Sequence, residues 1–287
     1  MSHLVVPRQH TLKACGSERW QQLAYVEWGD PDNPRVVVCV HGLTRTGRDF
    51  DALARRLARD HRVVCPDVVG RGRSDWLARP EEYGYPRYVS DAALLLARIG
   101  VDQVDWVGTS MGGILGMLLA AVPGNPVRRL ILNDVGSFIP RAALETIGSY
   151  VGAAPTFSSL QDAAGYLARV HAGFGALSPA QWETLAEQST LEMADGGFRL
   201  RYDPAIAAAF KGSLTDVDLG AVWAAVTAPT LIVRGAESSL LSAQTVAAMC
   251  RVRPETESVT FPGCGHAPAL LDPAQIAVLV DFLGRPG

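Results

Sequence analysis

A serine flanked by small residues is the first candidate for chemistry in this sequence. Trp106–Gly116 reads WVGTSMGGILG, in which Gly108, Ser110 and Gly112 match the pattern G-x-S-x-G. The match lies between a predicted strand and a predicted helix, where a tight turn lifts a serine hydroxyl clear of a sheet. The helix also directs the positive end of its dipole toward developing negative charge. The pattern therefore predicts Ser110 as a catalytic nucleophile.

A nucleophilic serine needs a general base, and one histidine near the end of the chain has the expected setting. His266 lies in FPGCGHAPALLDP, a loop rich in glycine and proline that follows the last predicted strand. His41 ends an earlier strand, and we expect it to form structural hydrogen bonds. The remaining histidines lack such a setting and are expected on the solvated surface: His3, His10, His61 and His171.

The strand that ends at His41 also predicts a binding site for a negatively charged oxygen. VVVCVHGLTRTG, Val36 to Gly47, is an apolar run that ends in His-Gly upstream of the serine. A loop in this place can turn its backbone N–H groups toward a reacting carbonyl group. We expect the N–H groups of Leu43 and Met111 to form an oxyanion hole.

The pattern of apolar residues indicates how these segments are positioned. Two early segments are predicted as strands of an antiparallel edge, and from Arg35 to Asp134 short apolar strands alternate with helical stretches. This alternation is typical of parallel crossovers and a doubly wound, mostly parallel α/β sheet. A long segment without a strand signal follows, and then two strands and a helix. We therefore predict a core of residues 1–135 and 228–287, with a helical cap, residues 136–227, inserted between strands 6 and 7.

Four segments, in this order, resemble the motifs of the α/β-hydrolase superfamily, in its capped serine esterase and lipase type: HGLTRTG, PDVVGRGRSD, GTSMGG and GHAPALLDP. The resemblance covers nearly the whole chain. It implies hydrolysis of a carboxylic ester through an acyl-enzyme, without a metal or an organic cofactor. We expect a small or medium acyl group, because nothing in the sequence resembles a lid of exposed leucines. The resemblance also implies that Asp67 and Asp75 hold their loop and do not react.

The acid of the triad is the position at which this sequence departs from the family. The family's acid follows the strand before the last one, where this chain reads RGAESSLLS and has Ser239 at the usual position, beside Ser238. Asp134 ends the strand VRRLILND, and some members of the fold carry their acid at this strand end. Glu237 lies in the right loop but two residues early. We take Asp134 as the provisional acid and leave open Glu237, or a dyad in which Ser239 replaces an aspartate, naturally or by engineering.

Composition and charge narrow the classes of partner. A formal net charge of -3 without a long basic run gives no reason to expect nucleic acid or an anionic membrane. The chain shows no signal-peptide pattern, no apolar stretch long enough for a membrane span, and no C-x-x-C pair among its five cysteines. We therefore expect a cytoplasmic enzyme acting on a small-molecule ester, in an oligomeric state that the sequence leaves open. The alternatives are a lactone or carbon-carbon bond hydrolase, or a catalytically weak ligand-binding member of the fold.

Overall fold

The computed structural model describes residues 6–212 and 214–285 of the chain, so that His3 lies outside the described residues. The first half of the chain alternates strands and helices, as the apolar pattern predicts. These elements are β1 (Arg8–Cys15), β2 (Trp20–Trp28), β3 (Val36–Val40), α1 (Asp51–Leu57), β4 (Arg62–Pro66), α2 (Tyr85–Ile99), β5 (Val104–Thr109), α3 (Met111–Ala120) and β6 (Val127–Asn133).

The predicted cap segment, residues 136–227, contains short strands as well as helices. Its elements are β7 (Phe138–Ile139), α4 (Arg141–Gly148), β8 (Thr156–Phe157), α5 (Leu160–Val170), α6 (Pro179–Ser189), β9 (Thr190–Glu192), β10 (Phe198–Leu200), β11 (Val217–Asp218) and α7 (Gly220–Ala225). β10 pairs with β8 and β9, and β7 pairs with β11. The prediction of a segment without strands is wrong, because strands of two or three residues are too short to produce an alternating apolar pattern.

The chain returns to the main sheet with β12 (Thr230–Gly235), α8 (Ala243–Val252), β13 (Glu257–Phe261) and α9 (Pro273–Gly284). The main sheet has eight strands in the order β1-β2-β4-β3-β5-β6-β12-β13. β2 runs antiparallel to both its neighbours. The other six strands, β4, β3, β5, β6, β12 and β13 in the order of the sheet, are parallel to one another. This arrangement confirms the predicted fold class.

β6 and β12 are neighbours in the sheet although the cap segment separates them in sequence. The chain therefore leaves the sheet after one strand and re-enters it directly beside that strand. The division into a core of residues 1–135 and 228–287 and a separate cap domain stays a prediction. Within the described residues, no helix combines the length and the apolar character that a membrane crossing requires.

Two glycines allow the turn around Ser110 to pack against the sheet. A Cβ atom on Gly108 would lie 2.2 Å from the carbonyl oxygen of Gly112, and one on Gly112 would lie 2.1 Å from the carbonyl oxygen of Val40. Ser110 itself has a φ of +52°, and its N–H donates a hydrogen bond of 3.0 Å to the Asn133 carbonyl. The sharp strand-to-helix turn that the sequence predicts is therefore present, with its serine in a strained backbone conformation.

We predict that Gly112→Ala destabilises the protein by about 1–3 kcal/mol, because overpacking against a backbone atom forces the structure to shift. The measurement is the midpoint of thermal unfolding. Gly284→Ala is the matched control, since a Cβ atom on Gly284 would meet nothing within 4 Å. Equal midpoints for the two variants would contradict the close approach of α3 to β3.

Candidate active site

Ser110, His266 and Asp134 form a hydrogen-bonded series at the carboxyl ends of the parallel strands. The Ser110 Oγ atom lies 3.0 Å from Nε2 of His266. The other ring nitrogen of His266, Nδ1, lies 2.8 Å from Oδ2 of Asp134. Hydroxyl, imidazole and carboxylate thus follow one another at the distances that proton transfer between a nucleophile and a base requires.

The carboxylate of Asp134 is fully buried and accepts hydrogen bonds on both of its oxygens. The N–H of Gly235 donates to Oδ1 at 2.8 Å, and the hydroxyl of Ser238 donates to Oδ2 at 2.5 Å. Asp134 has a φ of +56°, and its own N–H donates to the Val233 carbonyl at 2.7 Å. These contacts fix the carboxylate in the orientation that meets the His266 ring.

The loop after β12 brings Ser238 to Asp134, whereas Ser239 forms no hydrogen bond with that carboxylate in the described part of the chain. Ser238 is buried, and its hydroxyl accepts hydrogen bonds from the N–H groups of Leu240 and Leu241 at 3.2 and 3.0 Å. Ser239 and Glu237 are exposed, and neither side chain forms a hydrogen bond with His266. The reason is a turn closed by a 3.0 Å bond from the Ser238 N–H to the Gly235 carbonyl, which turns Ser238 inward.

The N–H groups of Leu43 and Met111 are each oriented by the carbonyl group of their own peptide unit, which is that of Gly42 for Leu43 and that of Ser110 for Met111. The Gly42 carbonyl accepts a 2.7 Å hydrogen bond from His41, so the N–H of Leu43 points away from that histidine across a planar trans peptide. The Ser110 carbonyl accepts from N–H groups one turn into α3, so the N–H of Met111 points out of the helix. Neither N–H donates a hydrogen bond to another described residue.

His41 is a structural residue, as its place at a strand end predicts. Its Nε2 atom accepts a 3.0 Å hydrogen bond from the N–H of Val68, so its proton is on Nδ1, which donates to Gly42. Burial lowers the pKa of His41 to about 3. The ring therefore stays neutral and holds the Gly42–Leu43 peptide in one orientation.

Arg71, a buried arginine that the sequence reasoning missed, holds the loop of Leu43 through a side-chain hydrogen bond. Arg71 donates through Nε to the Leu43 carbonyl at 2.8 Å, and its Nη2 atom lies 3.6 Å from the sulfur of Met111. Its Nη1 atom donates to the Tyr88 hydroxyl at 2.9 Å and to the Val69 carbonyl at 2.7 Å. The signal available in the sequence was its position inside PDVVGRGRSD.

The two aspartates of PDVVGRGRSD hold backbone groups in place. Asp67 accepts hydrogen bonds from the N–H groups of Gly47 and Arg73, at 2.8 and 2.9 Å. Asp75 accepts from the N–H of Gln22 at 2.8 Å. These contacts are those of loop-holding residues, the role that the family resemblance implies.

Ser110 and His266 open onto a cavity of about 380 Å³ that residues of the predicted cap segment also line. The turn after α5 packs directly on the histidine loop, since the N–H of Gly265 donates to the Gly173 carbonyl at 2.8 Å. A Cβ atom on Gly173 would lie 2.7 Å from backbone atoms of His266. The walls of the cavity thus come both from the core loops and from the cap segment.

Two of the histidines expected at the surface are buried, and that prediction is wrong for them. His61 belongs to the segment that joins α1 to β4, and His171 lines the cavity at the end of α5. Tertiary packing decides both positions, and neither follows a local pattern. His10 is partly exposed.

Comparisons with known proteins agree on one family of folds. The family model described as "Alpha/beta hydrolase family" matches residues 37–279. A "3-hydroxybutyrate-oligomer hydrolase" of Cupriavidus necator is 47% identical over 285 residues, which cover 96% of this chain and 97% of the relative. A solved structure of a putative hydrolase from Rickettsia typhi is 31% identical, with a TM-score of 0.92 over 98% of this chain and 100% of that one. An alpha/beta hydrolase structure from Novosphingobium aromaticivorans is 36% identical, with a TM-score of 0.88 over 99% and 100% of the two chains.

We predict that Asp134→Asn lowers kcat for p-nitrophenyl butyrate by about 10³- to 10⁴-fold, the loss expected when an imidazole loses its carboxylate partner. Glu237→Gln is the control, because Glu237 is exposed and its side chain forms no hydrogen bond with His266. We expect that variant to retain nearly all activity. Equal losses in the two variants would contradict the role of Asp134.

Position 238 is the place to which the carboxylate of Asp134 can be moved, since the Ser238 hydroxyl lies 2.5 Å from Oδ2 of Asp134. In the Asp134→Asn protein, we expect the added change Ser238→Asp to bring a carboxylate near the same imidazole nitrogen and to restore part of kcat. Adding Ser239→Asp instead is the matched control and is expected to restore nothing, because Ser239 is exposed. Recovery with Ser239→Asp alone would show that the loop adopts another arrangement.

Proposed function

Because the chain belongs to the alpha/beta hydrolase family, we propose that it is a serine hydrolase that cleaves carboxylic esters through an acyl-enzyme. The observation that carries the proposal is the hydrogen-bonded series from Ser110 through His266 to Asp134. The same family membership confirms the predicted superfamily and the prediction of a hydrolase. The catalytic roles of individual residues are part of the proposal.

Acylation begins when the Ser110 oxygen attacks the carbonyl carbon of the ester while Nε2 of His266 takes its proton. The separation of 3.0 Å allows this transfer without movement of the histidine. Asp134 holds the proton on Nδ1 and stabilises the imidazolium that forms. His266 then donates its proton to the departing alkoxide, and the ester carbonyl reforms as an acyl group on Ser110.

The tetrahedral oxyanion is stabilised by the N–H groups of Leu43 and Met111. Both donors are oriented before substrate binds, so their alignment costs little when negative charge develops. His41 and Arg71 act as positioning residues, since one holds the Gly42 carbonyl and the other the Leu43 carbonyl. A water activated by His266 then attacks the acyl group and releases the acid.

The substrate class that fits best is a short ester of a hydroxy acid. The Cupriavidus relative, which matches nearly the whole chain, is named for hydrolysis of 3-hydroxybutyrate oligomers. A cavity of about 380 Å³ lies within the range of small-molecule sites and suits a short acyl chain. A catalytically weak binding role is disfavoured because Asp134 supplies the carboxylate that is missing at the family's usual acid position, Ser239. A cytoplasmic setting stays a prediction from the sequence.

We predict a stoichiometric burst of p-nitrophenol when the protein meets excess p-nitrophenyl butyrate, with the butyryl group found on Ser110 by peptide mass spectrometry. Ser110→Ala removes the burst. Ser239→Ala, which alters another serine that lines the cavity, is the matched control and keeps it. Linear dimers and trimers of 3-hydroxybutyrate are expected to yield the free monomer. No burst at high protein concentration, or an acyl group on another residue, would contradict the mechanism.

A further inference from the structure

Arg45, Tyr150 and His171 are among the polar side chains that line the cavity of Ser110 and have no part in the triad or the oxyanion hole. Arg45 comes from the loop after β3, Tyr150 follows α4, and His171 follows α5. One of the three belongs to the core loops and two to the cap segment. They therefore meet across the space that a substrate would fill.

Arg45 is a buried cation whose donors are only partly used. Its side chain is 5% exposed, and Nε and Nη2 donate to the two carboxylate oxygens of Asp49 at 2.8 and 2.7 Å. An arginine has five N–H donors. Among the described residues, the Nη1 group has no hydrogen-bond partner, and the guanidinium carbon lies 5.6 Å from the centre of the Phe174 ring. A buried cation with open donors is favourable only if a ligand or water completes them.

Tyr150 and His171 present unpaired polar atoms to the same space. Neither the phenol oxygen nor the imidazole nitrogens form a hydrogen bond within the described part of the chain, although His171 is only 9% exposed. Burial raises the pKa of Tyr150 to about 12, so its hydroxyl remains a donor. Burial, assisted by the charge of Arg45, lowers the pKa of His171 well below its usual value, so its ring is neutral.

The Phe174 ring provides an apolar surface beside Arg45 and His171. His171 stacks on Phe174 with 4.8 Å between ring centres, and Tyr150 meets His171 edge-on at 6.2 Å. An anionic head group bound by the arginine and the phenol would therefore have an apolar surface beside it for a short alkyl chain. Such a combination suits a small carboxylic acid.

We propose that Arg45, Tyr150 and His171 form a subsite that binds the free carboxylate end of a short hydroxyacyl ester. The inference rests on the proposed function and extends it to the choice between substrates. Arginine binds planar carboxylates through two parallel N–H groups, and the phenol adds a neutral donor. Asp49 is already paired with Arg45, and Glu237 lies on the exposed rim, where solvent and salt screen its charge. The enzyme therefore prefers chains that end in a free acid over chains whose acid is blocked.

The kinetic test compares the 3-hydroxybutyrate dimer with its methyl ester. In the unaltered protein, kcat/KM is expected to be about tenfold or more higher for the free acid, as a charge-assisted hydrogen bond implies. The double variant Arg45→Gln/Asp49→Asn removes both charges together and is expected to abolish this ratio. Tyr150→Phe removes only a hydroxyl and is expected to lower the ratio. It provides a second test in case the double variant folds poorly.

The matched control is Arg48→Gln/Asp51→Asn. That ion pair lies in the next turn of the same loop and helix and does not line the cavity. We expect it to keep the preference for the free acid. An equal kcat/KM for the free acid and the methyl ester in the unaltered protein would overturn the subsite while leaving ester hydrolysis intact.

A binding measurement separates the subsite from catalysis. In Ser110→Ala protein, calorimetry is expected to show tighter binding of the dimer acid than of its methyl ester, by about tenfold. Adding the Arg45→Gln/Asp49→Asn change is expected to remove the difference. If no ester is hydrolysed but the acid still binds more tightly, the proposed function fails and the subsite stands. Equal binding of acid and methyl ester overturns the subsite, whatever the enzyme hydrolyses.

Discussion

The buried carboxylate of Asp134 is the constraint on which the rest of the site depends. A carboxylate without solvent is tolerated only when its oxygens are hydrogen-bonded, and here the three donors come from two separate loops of the chain. Gly235 and Ser238 belong to the loop after β12, and His266 to the loop after β13. The parallel pairing of Val233 with Asn133 brings the ends of β12 and β6 side by side. The sheet register therefore sets the position of the acid, and the acid sets the orientation of the imidazole.

On the other side of Ser110, the geometry of two peptide units fixes the orientation of the backbone N–H groups. The carbonyl groups of Gly42 and Ser110 are each engaged by the protein, so the N–H groups on the far side of those peptides are turned outward. Arg71 adds a buried cation that contacts both Leu43 and Met111. The predicted cap segment adds a contact through Gly173, which packs on the backbone of His266. Core and cap contacts thus converge on one short stretch of chain.

The sequence alone predicts the features that depend on a local pattern of residues. Continuous apolar strands alternating with helices predict the parallel sheet, and the settings of Ser110 and His266 distinguish them from the other serines and histidines. Asp134 was only one of several candidates, because its value depends on which strand ends lie together. Whether Ser238 or Ser239 meets that carboxylate is decided by a single turn at Gly235. The burial of Arg71 and His171 depends on tertiary packing, which no spacing in the sequence encodes.

In the proposed mechanism, Asp134 holds the proton of His266 on Nδ1, so that Nε2 faces Ser110 as a base. Nitrogen NMR of isotope-labelled histidine, with the His266 signals assigned by their loss in His266→Gln, reports this tautomer directly. We expect neutral His266 to carry its proton on Nδ1, and we expect this preference to be lost in Asp134→Asn. A proton on Nε2 in the unaltered protein, or an unchanged tautomer in Asp134→Asn, would contradict this mechanism.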